Sequence, residues 1–168
     1  MLNADMDPAP MAWLAALQAT PLATWVRESE SLWGYPLILT LHTVGLSLLV
    51  GGSAALDLRL LGVARAMPIA PLRGLFPIMW AGFAINATSG VLLFMGNATE
   101  KAVLWVFWVK LACIALGVVT MRLLQTSVFS DRGALASGGL PPVGKRLAVA
   151  SLLLWAGAIT AGRWMAYF

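Results

Sequence analysis

The sequence predicts an all-α integral membrane protein: a four-helix bundle with its N-terminus and C-terminus outside and a short interfacial N-terminal helix. Three observations predict it. Of the 168 residues, 60% are hydrophobic and only 11% charged, less than half the charged share of an ordinary soluble domain. Four apolar stretches reach the length of about 20 residues that a helix needs to cross a bilayer. Lysine and arginine concentrate in the segments on one side of those stretches. The 11 basic and 7 acidic side chains are too few to cover a water-soluble globule of this size, so lipid takes the place of the missing polar surface.

Residues 1–30 read as an interfacial amphipathic segment of one or two short helices. A signal peptide is not expected, because Asp5 and Asp7 stand where a basic start belongs and the apolar run 11–19 is short. Thr20 is placed to cap a helix that has Pro21 at its first position. Residues 31–168 form the four-span domain. Its first span, 31–56, is uncharged, with Ser31 as the expected N-cap. The second, 74–99, is also uncharged, and Pro71 and Pro77 fall at or near its start, where a missing donor is tolerated. The third, 102–121, is interrupted only by Lys110, and the fourth, 147–167, carries Arg163 near its end. The stretch 126–144, with its serines, glycines and the pair Pro141 and Pro142, reads as a mobile loop.

Orientation follows from the basic residues. With the N-terminus outside, Arg59, Arg65, Arg73, Arg122, Arg132, Lys145 and Arg146 lie inside, against Arg27, Lys101 and Arg163 outside. The expected setting is the bacterial cytoplasmic (inner) membrane. Trp13, Trp25, Trp33, Trp105, Trp108 and Trp164 then fall near the outer headgroups, where amphipathic rings are best placed.

Several function classes drop out. The basic residues are scattered singly, so no nucleic-acid footprint exists. Cys113 is the only cysteine, which excludes a disulfide framework and a thiolate metal site. No hydrolase, kinase or nucleotide motif is present, and an autonomous enzyme is not expected; if there is one, it is a haem-dependent oxidoreductase. Asp57 and Arg59 read as an ion pair anchoring the inner end of the first span, leaving the spans without the embedded carboxylates of proton-coupled transport.

The most informative feature is a polar layer. An ionised side chain at mid-helix costs roughly 2.5 kcal/mol or more, so each such group calls for a reason. Counting a rise of about 1.5 Å per residue from the span midpoints puts His42 and Lys110 roughly 5 Å to the outer side, with Asn86 and Thr160 within a turn of that level. Gly45 and, further along, Gly52 share the helix face of His42, and Gly82 and Gly90 flank Asn86. Such small-residue strips either bring helices close or make room for a planar cofactor. His42, the only histidine, admits three readings: a hydrogen-bonded structural residue, an axial haem ligand, or a proton-relay or quinone contact. The methionines, including Met79, Met95, Met121 and Met165, stand at other heights and read as packing. Lys110 either snorkels outward or meets an exogenous anion, and Arg163, further out, is placed to hold the same anion.

The segment LHTVGLSLLVGGSAALDLRLLG, 41–62, together with FWVKLA, 107–112, resembles uncharacterised bacterial four-helix integral membrane proteins with an H-x2-G…DLRLLG first helix and a lysine in the third. More distantly the chain is similar to copper-resistance D-type domains and to the membrane protoporphyrinogen oxidase of haem biosynthesis. The resemblance to that oxidase implies haem or porphyrin binding, with His42 matching its first-helix histidine and Lys110 its lysine. The chain departs from the pattern at the end of the third helix, where Met121 and its neighbours stand in place of a second histidine, which weighs against catalysis and leaves haem b binding.

The resulting expectation is a small membrane protein with one haem b, or a similar planar cofactor, serving electron transfer. His42 would be the metal ligand, Lys110 and Arg163 propionate partners, and Asn86, Thr160 and Gly45 supporting groups. Partners would be the lipid bilayer, a second copy of the chain or a larger membrane complex, and a periplasmic redox protein or quinone. The alternative is a cofactor-free structural or assembly subunit, suggested by small-residue stripes such as Ser47, Gly51 and Ala55, or Ala158 and Gly162.

Overall fold

The computed structural model describes residues 8–130 and 142–167, and among them every regular element is helical. Two short helices, α1 (Pro8–Gln18) and α2 (Pro21–Glu28), precede the long α3 (Tyr35–Leu61); a 3₁₀ turn (Ala70–Gly74) leads into α4 (Leu75–Gly96). A single turn, α5 (Ala98–Ala102), connects to α6 (Trp105–Ser127), and α7 (Pro142–Trp164) ends the chain. Four helical stretches, Tyr35–Leu61, Ala70–Gly96, Trp105–Ser127 and Pro142–Trp164, are long and apolar enough to cross a membrane. The chain therefore has the topology of a multi-pass membrane protein.

The ends of these helices follow local chemistry more than hydropathy. Ser31 does not cap the first span. Its hydroxyl accepts from Trp33 N at 3.2 Å within a turn, and α3 starts after Gly34 with Pro36 in its first turn. Charged side chains do not stop the same helix at residue 56 either, and it runs five residues further, to Leu61. It ends at Gly62, whose φ of +103° lets Gly62 N and Val63 N reach back to the carbonyls of Arg59 and Leu58. Gly62→Ala should therefore cost about 1 kcal/mol, the penalty of a Cβ in left-handed backbone, read as a lower thermal midpoint in detergent. Thr20 does cap α2, accepting from Ala23 N with Pro21 following. The expected loop 126–144 shrinks from both sides, since α6 continues to Ser127 and α7 begins at Pro142. Its middle, 131–141, lies outside the described residues.

Helices α3 and α6 run one way, α4 and α7 the other. Around the bundle the order is α4, α3, α7, α6, with close backbone packing at the first three seams. The tightest point is α3 on α4. A Cβ built on Gly45 would lie 2.7 Å from Asn86 N, and one on Gly82 would lie 2.8 Å from Gly45 O. Helices α6 and α4 instead meet through long side chains: Phe94 stacks on Phe107 at one end, and at the other Trp80 donates to Gln125 Oε1 with Arg122 over its ring. The packed core fills the half of the bundle around Leu56, Phe76, Met121, Phe129 and Trp155. The opposite half, where α3 begins and α4 ends, is looser. There α1 and α2 lie across the bundle end, tied down by Arg27 Nη1 donating to Gly96 O and by Thr99 donating to Gln18 Oε1. Lipid-facing hydroxyls on α3 are satisfied within the helix, Thr40, Thr43 and Ser47 each donating to the carbonyl four residues back.

Candidate functional site

Because α4 and α6 are held apart, an opening remains between α3, α4, α6 and α7 in the looser half. It is a cleft of about 400 Å³, within the range of roughly 300–1,000 Å³ typical of small-molecule sites. His42, Lys110, Lys101 and Arg163 line it, with Phe94, Phe107 and Tyr35 as aromatic wall and Met165 at its outer end. No carboxylate is among its lining residues. Three basic side chains and an imidazole thus share one apolar-walled space, an arrangement that favours an anionic ligand.

His42 is held by α4. Its Nδ1 lies 3.0 Å from Asn86 O and 3.1 Å from Ser89 Oγ. The hydroxyl of Ser89 is already donated to Ile85 O at 2.6 Å, and a carbonyl can only accept. Nδ1 therefore carries the proton in both contacts, and Nε2 keeps its lone pair. Asn86 Nδ2 returns a bond to His42 O at 2.8 Å, locking the pair of helices at this height. Among the described residues Nε2 has no hydrogen-bond partner. Gly90 passes beneath the ring, where a Cβ would sit 3.1 Å from His42 Cε1. Gly162 does the same for Lys110, whose Nζ would lie 3.8 Å from a Cβ there. Lys110 forms no salt bridge or hydrogen bond among the described residues.

Of the sequence-derived candidates, His42, Lys110 and Arg163 reach the cleft and Asn86 supports His42 from behind. The other two do not. Gly45 is buried in the α3–α4 seam with backbone on its open side, so it closes a helix contact and leaves no space for a ligand. Thr160 has the right height but the wrong azimuth: α7 turns Ser151, Trp155, Ala158 and Ala161 inward and leaves Thr160 exposed. Lys101 was not anticipated, because it sits in a charged turn that reads as a loop; folding of α5 brings its Nζ to Met165 O at 3.4 Å. Met165, set aside on height, lines the same cleft because the chain turns after Trp164.

The expected Asp57–Arg59 ion pair is absent. Arg59 donates to Met67 O at 2.7 Å and Arg65 O at 3.0 Å, whereas Asp57 is fully buried and hydrogen-bonded to Ser53 at 3.1 Å. The bundle does contain an embedded carboxylate. Helix periodicity held the signal: Ser53 and Asp57 are four residues apart, on the face that also carries Leu49, Leu56 and Leu60.

Among the described residues no three His, Cys, Asp or Glu side chains gather as a bare metal ion would need. A haem brings four of its own ligands and needs one imidazole, which His42 would supply in the tautomer such ligands adopt, its other nitrogen donating to a carbonyl. The lysines and Arg163 suit propionates, and the phenylalanines a flat macrocycle. The residues present fit the group. Compared with known proteins, the chain matches no family model, no curated protein and no solved structure.

Proposed function

We propose that this chain is a bacterial inner-membrane protein that holds one haem b, or a planar anionic cofactor like it, in the cleft and serves membrane electron transfer with a quinone or periplasmic redox partner. The observation that carries the reading is the imidazole of His42, its proton-bearing nitrogen anchored on α4 and the other, without a partner among the described residues, facing a cleft with three basic side chains. When bound, haem supplies one-electron chemistry. The chain's own residues would fix its position: His42 at the iron, Lys110, Lys101 and Arg163 at the carboxylates, Phe94 and Phe107 against the ring face, and Asn86 with Ser89 keeping the imidazole in one tautomer. The excess of basic side chains at the closed end favours that end facing the cytoplasm and the cleft facing out, with α1 and α2 lying in the outer interface. The six exposed tryptophans at the cleft end suit that interface.

The test is an absorption spectrum of the detergent-purified protein, before and after addition of hemin. A Soret band that His42→Ala abolishes is expected, with Ser89→Ala weakening haem affinity about 10-fold by loosening the imidazole. Folded protein, by circular dichroism, that stays colourless and takes up no hemin overturns the reading.

A second reading, a cofactor-free assembly subunit, has one observation in its favour. Ser47, Gly51 and Ala55 are all exposed on α3, and nothing lies within 4 Å of a Cβ on Gly51. That stripe is available to a second copy or another membrane chain. The pair Ala158 and Gly162 is not, since Ala158 is buried and Gly162 lies against Lys110.

A further inference from the structure

The mechanism of the cleft makes no use of Asp57. It lies fifteen residues beyond His42 on α3, about 22 Å along the helix axis, in the packed half of the bundle and one turn from the helix end. Its side chain is wholly buried, and its Oδ1 has no hydrogen-bond partner among the described residues. Its Oδ2 is 3.1 Å from Ser53 Oγ; Ser53 Oγ is in turn 3.0 Å from Ser151 Oγ and 3.1 Å from Trp155 Nε1. Ser53, Ser151 and Trp155 are themselves buried. The cluster joins α3 to α7 and has no connection to the cleft.

Among the described residues, the basic groups near the cluster are engaged elsewhere or exposed. On α3, Arg59 serves the carbonyls of Arg65 and Met67. On α7, Lys145 and Arg146 are exposed, and on α6 Arg122 lies over Trp80. Helix α4 carries no ionisable side chain from Leu75 to Gly96. A carboxylate here would therefore bring a net charge into hydrocarbon with only serine hydroxyls to bond it and no cation beside it among the described residues, an arrangement proteins avoid.

Counting donors resolves the problem. The indole N–H of Trp155 can only donate, so Ser53 Oγ accepts from it. If Asp57 is the neutral acid, its Oδ2–H donates to the second lone pair of Ser53 Oγ, and the Ser53 hydroxyl hydrogen goes to Ser151 Oγ. Donor and acceptor then match along the whole chain, and the atom left over is a carbonyl oxygen, the least costly group to leave unpaired. A sodium ion fits less well, because Ser53 is already an acceptor for Trp155 and the remaining oxygens are too few to replace a hydration shell.

We infer that Asp57, Ser53 and Ser151 form a buried proton-binding site in the closed half of the bundle, with the aspartic acid occupied by its proton in the folded protein. Proton binding forms the Oδ2–H bond from a carboxylate and a proton taken from water at the nearby helix end.

The test is infrared spectroscopy of the full chain in lipid nanodiscs at neutral pH, with ¹³C-labelled aspartate to identify the band. The expected result is the carbonyl stretch of a protonated carboxyl that moves on transfer to heavy water and is missing in Asp57→Asn. That variant should keep the wild-type thermal midpoint, since an amide donates to Ser53 as the acid does. Asp57→Glu, which should move the band, serves if Asp57→Asn fails to fold. A spectrum with only carboxylate bands overturns the inference; replacing sodium by choline then tells an ion-loaded site, which loses thermal stability, from a bare carboxylate, which does not. No outcome depends on whether haem is bound.

Discussion

Gly82→Leu should part α3 from α4 and take the cleft with it. A Cβ at Gly82 already falls 2.8 Å from Gly45 O, 2.8 Å from Leu49 N and 2.9 Å from Leu48 Cβ. Two of those atoms are helix backbone, which cannot swing away as the end of a side chain can. Overpacking of this kind costs roughly 1–3 kcal/mol in soluble cores. Within a bilayer, lipid solvates a separated helix about as well as its neighbour does, so close packing and interhelical hydrogen bonds are what hold the seam. Leucine should therefore cost at least the upper end of that range, and Gly82→Ala about 2 kcal/mol. Asn86 is one turn along α4 from Gly82; its carbonyl and Ser89 Oγ hold the imidazole Nδ1, and its Nδ2 donates to the main-chain carbonyl of His42. On the proposed haem reading, the same substitution should accordingly lower the uptake of added hemin. Gly51→Ala is the internal control: with nothing within 4 Å, it should leave the monomer's midpoint unchanged or slightly higher, as alanine suits a helix better. Thermal melts of the three proteins in one detergent check the set, and a Gly82→Leu midpoint equal to wild type contradicts the seam.

What was legible in the sequence divides along a physical line. Hydropathy and length locate spans, because the bilayer imposes both, and all four are present. Rise per residue gives height and sets His42, Lys110 and Asn86 at one level; the structure bonds Asn86 to His42 and puts Lys110 in the same cleft. Height says nothing about azimuth, and azimuth removed Thr160 and Gly45 from the cleft. The apolar faces of these helices touch both lipid and protein, so the amphipathic pattern that orients a soluble helix is nearly absent. Asp57 shows a second limit. A hydropathy window closes at the first charge, whereas the helix continues until Gly62 provides a left-handed end. A charge at the edge of an apolar run reads as an anchor, and only the helical spacing to Ser53, with Ser151 and Trp155 arriving from a distant span, reveals that it points inward. Lys101 fell in the gap between spans, where position depends on how a short helix folds back.

Trp155→Ala should be the most damaging substitution outside the α3–α4 seam. The indole is 2% exposed and fills the space above Gly117, where a Cβ would come within 3.0 Å of it. In a soluble protein, truncating a buried Trp to Ala costs about 3–5 kcal/mol. Part of that is transfer of the ring into water, a contribution missing when the separated helices remain in lipid. The cavity and lost dispersion contacts remain, together with the bond from Nε1 to Ser53, which for an interhelical pair in a membrane is worth about 0.6 kcal/mol. The expected loss is therefore about 2–3 kcal/mol, below the soluble value. Trp155→Phe separates the two contributions, keeping most of the packing while deleting the donor; it should cost about 1 kcal/mol or less. Removing that donor also frees a lone pair on Ser53, so Trp155→Phe should perturb the infrared band of Asp57 while Gly117→Ala, which crowds the same ring from the other side, should destabilise the α6–α7 pair without that effect. Unfolding in a denaturing detergent series measures the free energies. A Trp155→Ala protein as stable as wild type would mean that the ring is not seated between α6 and α7, and the cluster around Ser53 would lose its support.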